Sequence, residues 1–321
     1  MKFKKWLALL LALILILCTT ACNYSGDDDR DNETNDSASD TLSTTGPLLY
    51  RVTDKDGNVA WLFGSIHVGK ERYYPLPSYV TDALEGSDAL AVEFDLIAAE
   101  KNVLQLYAAQ AKCQYSFGDS IKNHLPTELY EQAVAEMRNL GIYNVAYEMY
   151  MPVMWSSVID QAKMDPDCAA YGVDRHMIEM AYDLNLPVYD IESAIEQYSM
   201  LASYSEELQI MMLESSLERS QIEYQVEMNQ MMDMWQTGDY DGLREYVSAI
   251  PDDMTAEEQA LYREYLEKSL TNRDMGMVDF VIDAMNDGEE VFVCVGAAHV
   301  IGVNGIVDQL KAQGYTVELV K

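Results

Sequence analysis

The feature that most constrains this chain is a motif it carries twice, near opposite ends. Leu62-Phe63-Gly64-Ser65-Ile66-His67-Val68 and Cys294-Val295-Gly296-Ala297-Ala298-His299-Val300 share one plan. An apolar strand runs into a glycine, two small or apolar residues, a histidine and a valine, and Gly69 or Gly302 follows shortly after. The separation is no solenoid period; it is one structural device used twice. Glycine at a strand end permits a sharp or positive-φ turn and lets another backbone or a ligand approach closely. Each loop then presents its histidine at the carboxyl edge of a strand, where open α/β sheets bind ligands. If the two strands are neighbours, two imidazoles face one crevice. A lone histidine of this kind more often just caps a turn, but turn capping does not require the same motif twice.

The rest of the chain frames these two strands. Segments 48–53 and 59–63 read as a hairpin about Asp54-Lys55-Asp56-Gly57-Asn58. A helix is expected over 77–85, a buried strand over 88–94, and helices over 97–111, 125–140, 151–164 and 171–185, with a turn at 165–167 and a strand at 186–189. Helix is expected again over 192–237, 240–250 and 256–286, then a strand at 290–295, a helix at 305–312 and a last strand at 315–320. The fold class is therefore α/β: a mixed β-sheet flanked by helices, with a long helical insertion over about 96–285 between the two strand motifs. The methionines between Met211 and Met234 recur at helical spacing and read as core packing rather than an adaptable binding surface.

The N-terminal 46 residues stand apart. Lys2, Lys4 and Lys5 precede an unbroken apolar run from Trp6 to Leu17, which is too short to span a bilayer and fits a secretory signal peptide over 1–21. Small residues lead to Cys22, a lipidation site in the manner of bacterial lipoproteins. Residues 22–46 are rich in Asp, Ser, Thr and Asn and read as a disordered tether, leaving 47–321 as one domain. The expected location is extracytoplasmic, lipid-anchored to the membrane through Cys22, or secreted if that cysteine is unmodified. Formal charge is −33 over the chain, and loss of residues 1–21 would remove three lysines and no acid. Such a charge repels nucleic acid and anionic lipid headgroups, and nucleic acid is excluded as a partner. Export permits a Cys113–Cys168 disulfide, while Cys294 lies in an apolar run and reads as buried.

Among candidate residues, Glu93 follows the apolar run 89–92, where a carboxylate is costly unless paired, hydrogen-bonded or metal-bound. Asp95 shares its face if the strand continues. His67, Glu93 and His299 would make a two-histidine, one-glutamate set suited to a divalent metal with an open water position, Zn²⁺, Mn²⁺ and Co²⁺ all being compatible. Without metal, the same residues form a base and its orienting carboxylate. Ser65 could donate to an oxyanion, yet no G-x-S-x-G elbow surrounds it. Arg175 reads as the partner of a nearby acid, His176 as a residue at a helix start, and His124 has no assigned role.

The segments 62–69, 92–95, 172–174, 191–197 and 295–302 resemble, in order, the TraB/GumN family, which includes the Tiki metalloproteases. The resemblance covers about 47–321. It implies a fold like that of erythromycin esterase and of a haem-binding lipoprotein. It matches His67, Glu93 and His299 to catalytic or metal-binding positions, and Asp174 and Glu192 to acidic positions of the family pattern. It also implies an arginine ahead of the second motif, usually followed by Asn. Arg273 fits, as a candidate oxyanion stabiliser, but Asp274 departs from that pattern. Three readings follow: a metal-dependent hydrolase, most naturally a peptidase; a non-catalytic lipoprotein that binds or sequesters peptide or haem; and a metal-free, esterase-like hydrolase. The partner in each case is a peptide or small molecule.

Overall fold

The computed structural model describes residues 46–250 and 254–320. The expected signal peptide, the expected lipidation site Cys22 and all of the expected tether but Gly46 therefore lie outside the described residues.

Asp54 starts the sheet by fixing a turn. Its Oδ1 accepts from the backbone N–H groups of Asp56 and Asn58 at 2.8 Å each, and Gly57 takes φ +92°. The turn joins β1 (Leu49–Thr53) to β2 (Val59–Ser65) as the expected antiparallel hairpin. After helix α1 (Ser78–Glu85), β3 (Ala89–Val92) enters the sheet. A helical stretch follows: α2 (Leu96–Lys101), α3 (Val103–Gln110), α4 (Thr127–Asn139), α5 (Pro152–Lys163), α6 (Pro166–Ala170) and α7 (Val173–Leu184). Strand β4 (Val188–Asp190) interrupts it. Helices α8 (Ala194–Ala202), α9 (Glu206–Glu218), α10 (Gln221–Thr237), α11 (Tyr240–Ser248) and α12 (Ala256–Leu266) come next. A π-helical segment (Glu267–Thr271) leads directly into α13 (Asn272–Asn286). The chain closes with β5 (Val291–Gly296), α14 (Ala297–Ile301), α15 (Ile306–Ala312) and β6 (Thr316–Leu319).

The six strands form one sheet in the order β4-β3-β5-β2-β1-β6. β2, β3, β4 and β5 run parallel, and β1 is antiparallel to both of its neighbours. Near-complete burial of β3, β5 and the second half of β2 is what a parallel sheet covered on both faces demands. The edge strands β4 and β6 are largely exposed and short.

Several boundaries differ from the sequence reading, each for a local reason. The helix expected over 192–237 is three helices. Ser193 with Glu196 and Ser220 with Glu223 form capping boxes that start new helices, and Ser205 caps α9. The helix expected over 97–111 breaks at Asn102, whose side chain caps α3. Asp165-Pro166-Asp167, expected as a turn, opens α6, with Asp165 as cap and Pro166 in the first turn. Cys113 and Cys168 are buried and are not joined in a disulfide. Cys113 instead donates to the Tyr198 carbonyl on α8, whereas Cys168 lies in α6. Among the described residues, no helix is long and apolar enough to cross a membrane.

Met228, Met231 and Met232 on α10 are buried, as core packing requires. Trp235 on the same helix donates Nε1–H to the Gly64 carbonyl at 2.7 Å and packs edge-on against Phe63. The methionine-rich helix is thus fastened to the strand that carries the first histidine motif.

A buried ionic network joins α5 and α9. Arg219 reaches Asp160 at 3.3 Å, both fully buried, and Lys163 donates to the carbonyls of Ser216 and Arg219 while pairing with Glu136 at 2.9 Å. Burial pushes the Asp160 carboxyl up to about 6 even beside Arg219. Removing one partner from such a pair leaves an uncompensated charge, so Arg219→Ala should lower stability by about 3–5 kcal/mol. The check is a lowered urea midpoint at unchanged slope; a midpoint near wild type would show that the network contributes little.

Candidate functional site

The two glycine–histidine motifs meet because β2 and β5 are adjacent and parallel. Their register pairs Gly64 with Val295 and Ser65 with Gly296. β3 flanks β5 on its other side, with Val92 opposite Cys294. His67, His299 and Glu93 therefore emerge at the carboxyl ends of three neighbouring strands. All three line one cavity of about 580 Å³, open mouth included, together with Ser65, Arg273 and Gly296.

Neither motif glycine takes a positive φ; each is required by close approach. A Cβ on Gly64 would lie 3.1 Å from the Ala297 Cα, so the glycine lets α14 pack directly on β2. A Cβ on Gly296 would lie 3.3 Å from Glu93 Oε1. That glycine makes room for the carboxylate and donates its N–H to it at 3.0 Å. The first motif is a loop, clamped by Val173 N–H to the Ile66 carbonyl and Gly69 N–H to the Cys168 carbonyl. The second is not the expected loop: His299 sits on the single helical turn of α14. Ala297 and Ala298 favour helix there and Gly302 ends it.

Each histidine is oriented by an aspartate through Nδ1. Asp174, in the first turn of α7, faces His67 Nδ1 at 2.8 Å. Asp274, in the first turn of α13, lies 2.6 Å from His299 Nδ1. In both rings Nε2 is left to meet the cavity's contents. Burial opposes the imidazolium of His67, but Asp174 and then Glu93 outweigh it, raising the pKa to about 8. Burial pushes the Asp274 carboxyl up, against the pull of His299.

Glu93 is held from three sides. Beyond the Gly296 N–H, its Oε2 accepts from Arg273 at 2.6 Å and from Gln197 Nε2 at 2.9 Å, and its Oε1 stands 3.8 Å from His299 Nε2. Burial would raise its pKa, yet the Arg273 guanidinium, with His299 and His67, holds the carboxyl well below the usual range. Glu192 joins the same clamp because pairing continues past β3 and β4. Glu192 N–H donates to the Glu93 carbonyl, bringing the two side chains together. Arg273 Nε and Nη2 both bond Glu192, and Nη1 bonds the Ser269 carbonyl.

The sequence-predicted residues thus fall into distinct places. His67, Glu93, His299, Arg273, Asp174 and Glu192 are brought together. Ser65 is present but fully buried, with Oγ–H given to Asp174 Oδ1 at 2.5 Å, so it supports Asp174 and is not the expected oxyanion donor. Arg273 spends its donors on two carboxylates and a carbonyl, which makes it a clamp on Glu93 more than the expected oxyanion stabiliser. Asp95 does not share a face with Glu93: the strand ends at Val92 and Asp95 caps α2. Arg175 pairs with Glu100, His176 packs at a tilt against Tyr74, and His124 stacks on Tyr115 and pairs with Asp119. Sequence reasoning gave Gln197 and Asp274 no role. The acid beside Arg273 was the one visible signal, and it stood out only as a departure from the family pattern.

Among the described residues, no set of three or more His, Cys, Asp and Glu side chains is gathered at metal-ligand spacing. The donor chemistry nonetheless suits a divalent ion, since an imidazole whose other nitrogen is tied to a carboxylate is the usual form of a metal-ligating histidine. Charge points the same way. Glu93, Asp174, Glu192 and Asp274 face one guanidinium, an excess of negative charge that protons on the imidazoles or a bound cation would offset.

The raised His67 pKa has a sign. The folded value lies above the ordinary 6.5 of the unfolded chain, so its stabilisation is fully present below pH 6.5 and is lost as pH rises through about 8. In chelator-dialysed protein this loss amounts to about 2 kcal/mol. Unfolding titrations across that window should show the decline in wild type and its absence in His67→Gln; parallel curves would contradict the pairing with Asp174.

The chain is 26% identical over 143 residues to the protein named Uncharacterized protein YbaP of Escherichia coli (strain K12), and equally to the protein of that name from Shigella flexneri. Each match covers 44% of this chain and 50% of the relative, so the chain spans about half the length of these curated relatives. No solved structure matches it significantly. The model of the TraB/PrgY/gumN family matches residues 48–319, almost the whole described chain, and includes both histidine motifs, Glu93 and Arg273; the chain belongs to the TraB/PrgY/gumN family.

Proposed function

We propose that this protein is a hydrolase, metal-dependent and acting on peptides outside the cytoplasmic membrane, to which it is tethered at Cys22. The observation that carries this reading is that two aspartate-oriented imidazoles and the Glu93 carboxylate open on one partly enclosed cavity. His67 and His299 through Nε2, with Glu93 as third ligand, would hold the ion, and Zn²⁺, Mn²⁺ and Co²⁺ all suit these donors. When bound, such an ion acidifies water towards pKa ~7 and polarises a carbonyl. The chain's own contribution is positional. Asp174 and Asp274 fix the tautomer and direction of the rings. Arg273 and Gln197 keep Glu93 ionised and immobile. The walls from α10, α11 and α12, with Met231, Leu243 and Tyr265, exclude water from the reacting bond.

One observation favours a metal-free alternative: each histidine already has its own carboxylate partner, as a general base needs. In that case His67 accepts the proton of an attacking water at Nε2 and Asp174 stabilises the imidazolium formed. The two readings separate by experiment. Metal content of the purified protein, with hydrolysis of a peptide library and of small esters before and after chelation, is the measurement. On the metal reading, chelation abolishes turnover, added metal restores it, and His67→Ala and His299→Ala each lose metal and activity. On the metal-free reading chelator has no effect, the rate rises with pH through about 8, and His67→Ala costs about 10²–10⁴-fold. Tight peptide or haem binding with no turnover under any metal would overturn both and leave a sequestering lipoprotein.

A further inference from the structure

Most hydrogen-bond donors around the cavity are already committed. Ser65 gives its proton to Asp174, and the Gly296 N–H and Arg273 hold Glu93. The Tyr246 hydroxyl lies beside Glu227 and Arg219 of the buried ionic network. Two hydroxyls remain in the cavity wall, those of Tyr265 at the end of α12 and Ser269 in the π-helical segment. Four residues apart on one helical stretch, they are neighbours, and Ser269 hydrogen-bonds the Tyr265 hydroxyl. Ser269 Oγ also lies 2.6 Å from the hydroxyl of Tyr204, which comes from the connection between α8 and α9 and does not line the cavity. All three residues are buried.

Counting protons shows what this chain of hydroxyls lacks. Three O–H groups joined by two hydrogen bonds always leave one O–H unused. Among the described residues, no further acceptor is paired with any of the three. A buried O–H without an acceptor is costly, so the spare one belongs where a ligand can reach it. Tyr204 faces no cavity; Tyr265 and Ser269 do. Burial pushes both tyrosine hydroxyls well up, so they stay protonated donors. Their place is fixed relative to Glu93, because Arg273 bonds the Ser269 carbonyl at 3.1 Å and Glu93 at 2.6 Å. We propose that the Tyr265–Ser269 pair donates its spare O–H to the carbonyl oxygen of the bound substrate, with Tyr204 as the positioning residue behind it. The catalytic side of this proposal rests on the hydrolase reading. As water attacks the carbonyl carbon, negative charge gathers on that oxygen, in a cavity whose acids already oppose it. The neutral O–H is shared with the oxygen and its proton stays on the hydroxyl, the task for which Ser65 and Arg273 are no longer free.

Steady-state hydrolysis of the library member that wild type cleaves fastest, peptide or ester, tests the proposal. A Tyr265→Phe, Ser269→Ala double variant, its fold checked by circular dichroism, should lose about 10²–10³-fold in kcat while KM and metal content stay near wild type. If the double variant does not fold, each single substitution is measured instead and should cost roughly tenfold or more in kcat. Tyr262→Phe, which packs against Tyr265 outside the cavity wall, should keep the wild-type rate. A variant kcat near wild type overturns the proposal, and so does an equal fall in Tyr262→Phe. A wild-type protein that hydrolyses nothing overturns the hydrolase reading alone. The hydroxyls are then judged by infrared spectra of the library peptide bound most tightly, isotope-labelled at its carbonyls. A carbonyl stretch lowered on binding to wild type but not to the variant supports the donor pair; equal spectra, or no peptide binding at all, overturn it.

Discussion

Parallel pairing of β2 with β5 is the contact on which the rest of this molecule depends. It joins segments separated by most of the chain, and it aligns Ser65 with Gly296 so that the two motifs end side by side. The cost of closing so long a loop is met by burial, because both strands and neighbouring β3 lie almost wholly inside. Gly64 adds a second condition. Without a side chain there, α14 lies close against β2, and that contact brings His299 down to the level of Glu93.

Electrostatics then decides what the strand ends can hold. Glu93 and Glu192 are tenable together only because Arg273 is bonded to both, with Gln197 bridging them. Asp174 occupies the first turn of α7, where the backbone dipole favours a carboxylate, whereas Asp274 lies inside helix that runs on unbroken from the π-helical segment. The two dyads share a plan, an acid on a helix beside an imidazole carried just past the end of a buried strand. Their combined negative charge makes the cavity a place where a cation or a proton is welcome.

The helical insertion is part of this machinery, not an appendage. β4 extends the sheet from within it and delivers Glu192, and α8 delivers Gln197. The π-helical segment ahead of α13 changes the helical phase just before Arg273, so that Ser269 and Arg273 both reach the cavity. Trp235 and the buried methionines of α10 hold the insertion against β2.

The sequence alone determined the α/β class, the hairpin at Asp54–Asn58, the strand ends bearing His67 and His299, and the suspicion attached to Glu93. These are local facts: alternation, turn residues, a glycine before a histidine, an acid after an apolar run. The breaks within 192–237 are equally local, written in Ser193…Glu196 and Ser220…Glu223, but helical periodicity spans them and masks them. Only the tertiary structure decided that Ser65 is spent on Asp174, that Arg273 grips carboxylates, that Asp274 and Gln197 belong to the site, and that Cys113 and Cys168 stay apart. Each of those outcomes rests on a partner that is remote in sequence, and hydrogen bonds and ion pairs between remote groups leave no periodic trace in the chain.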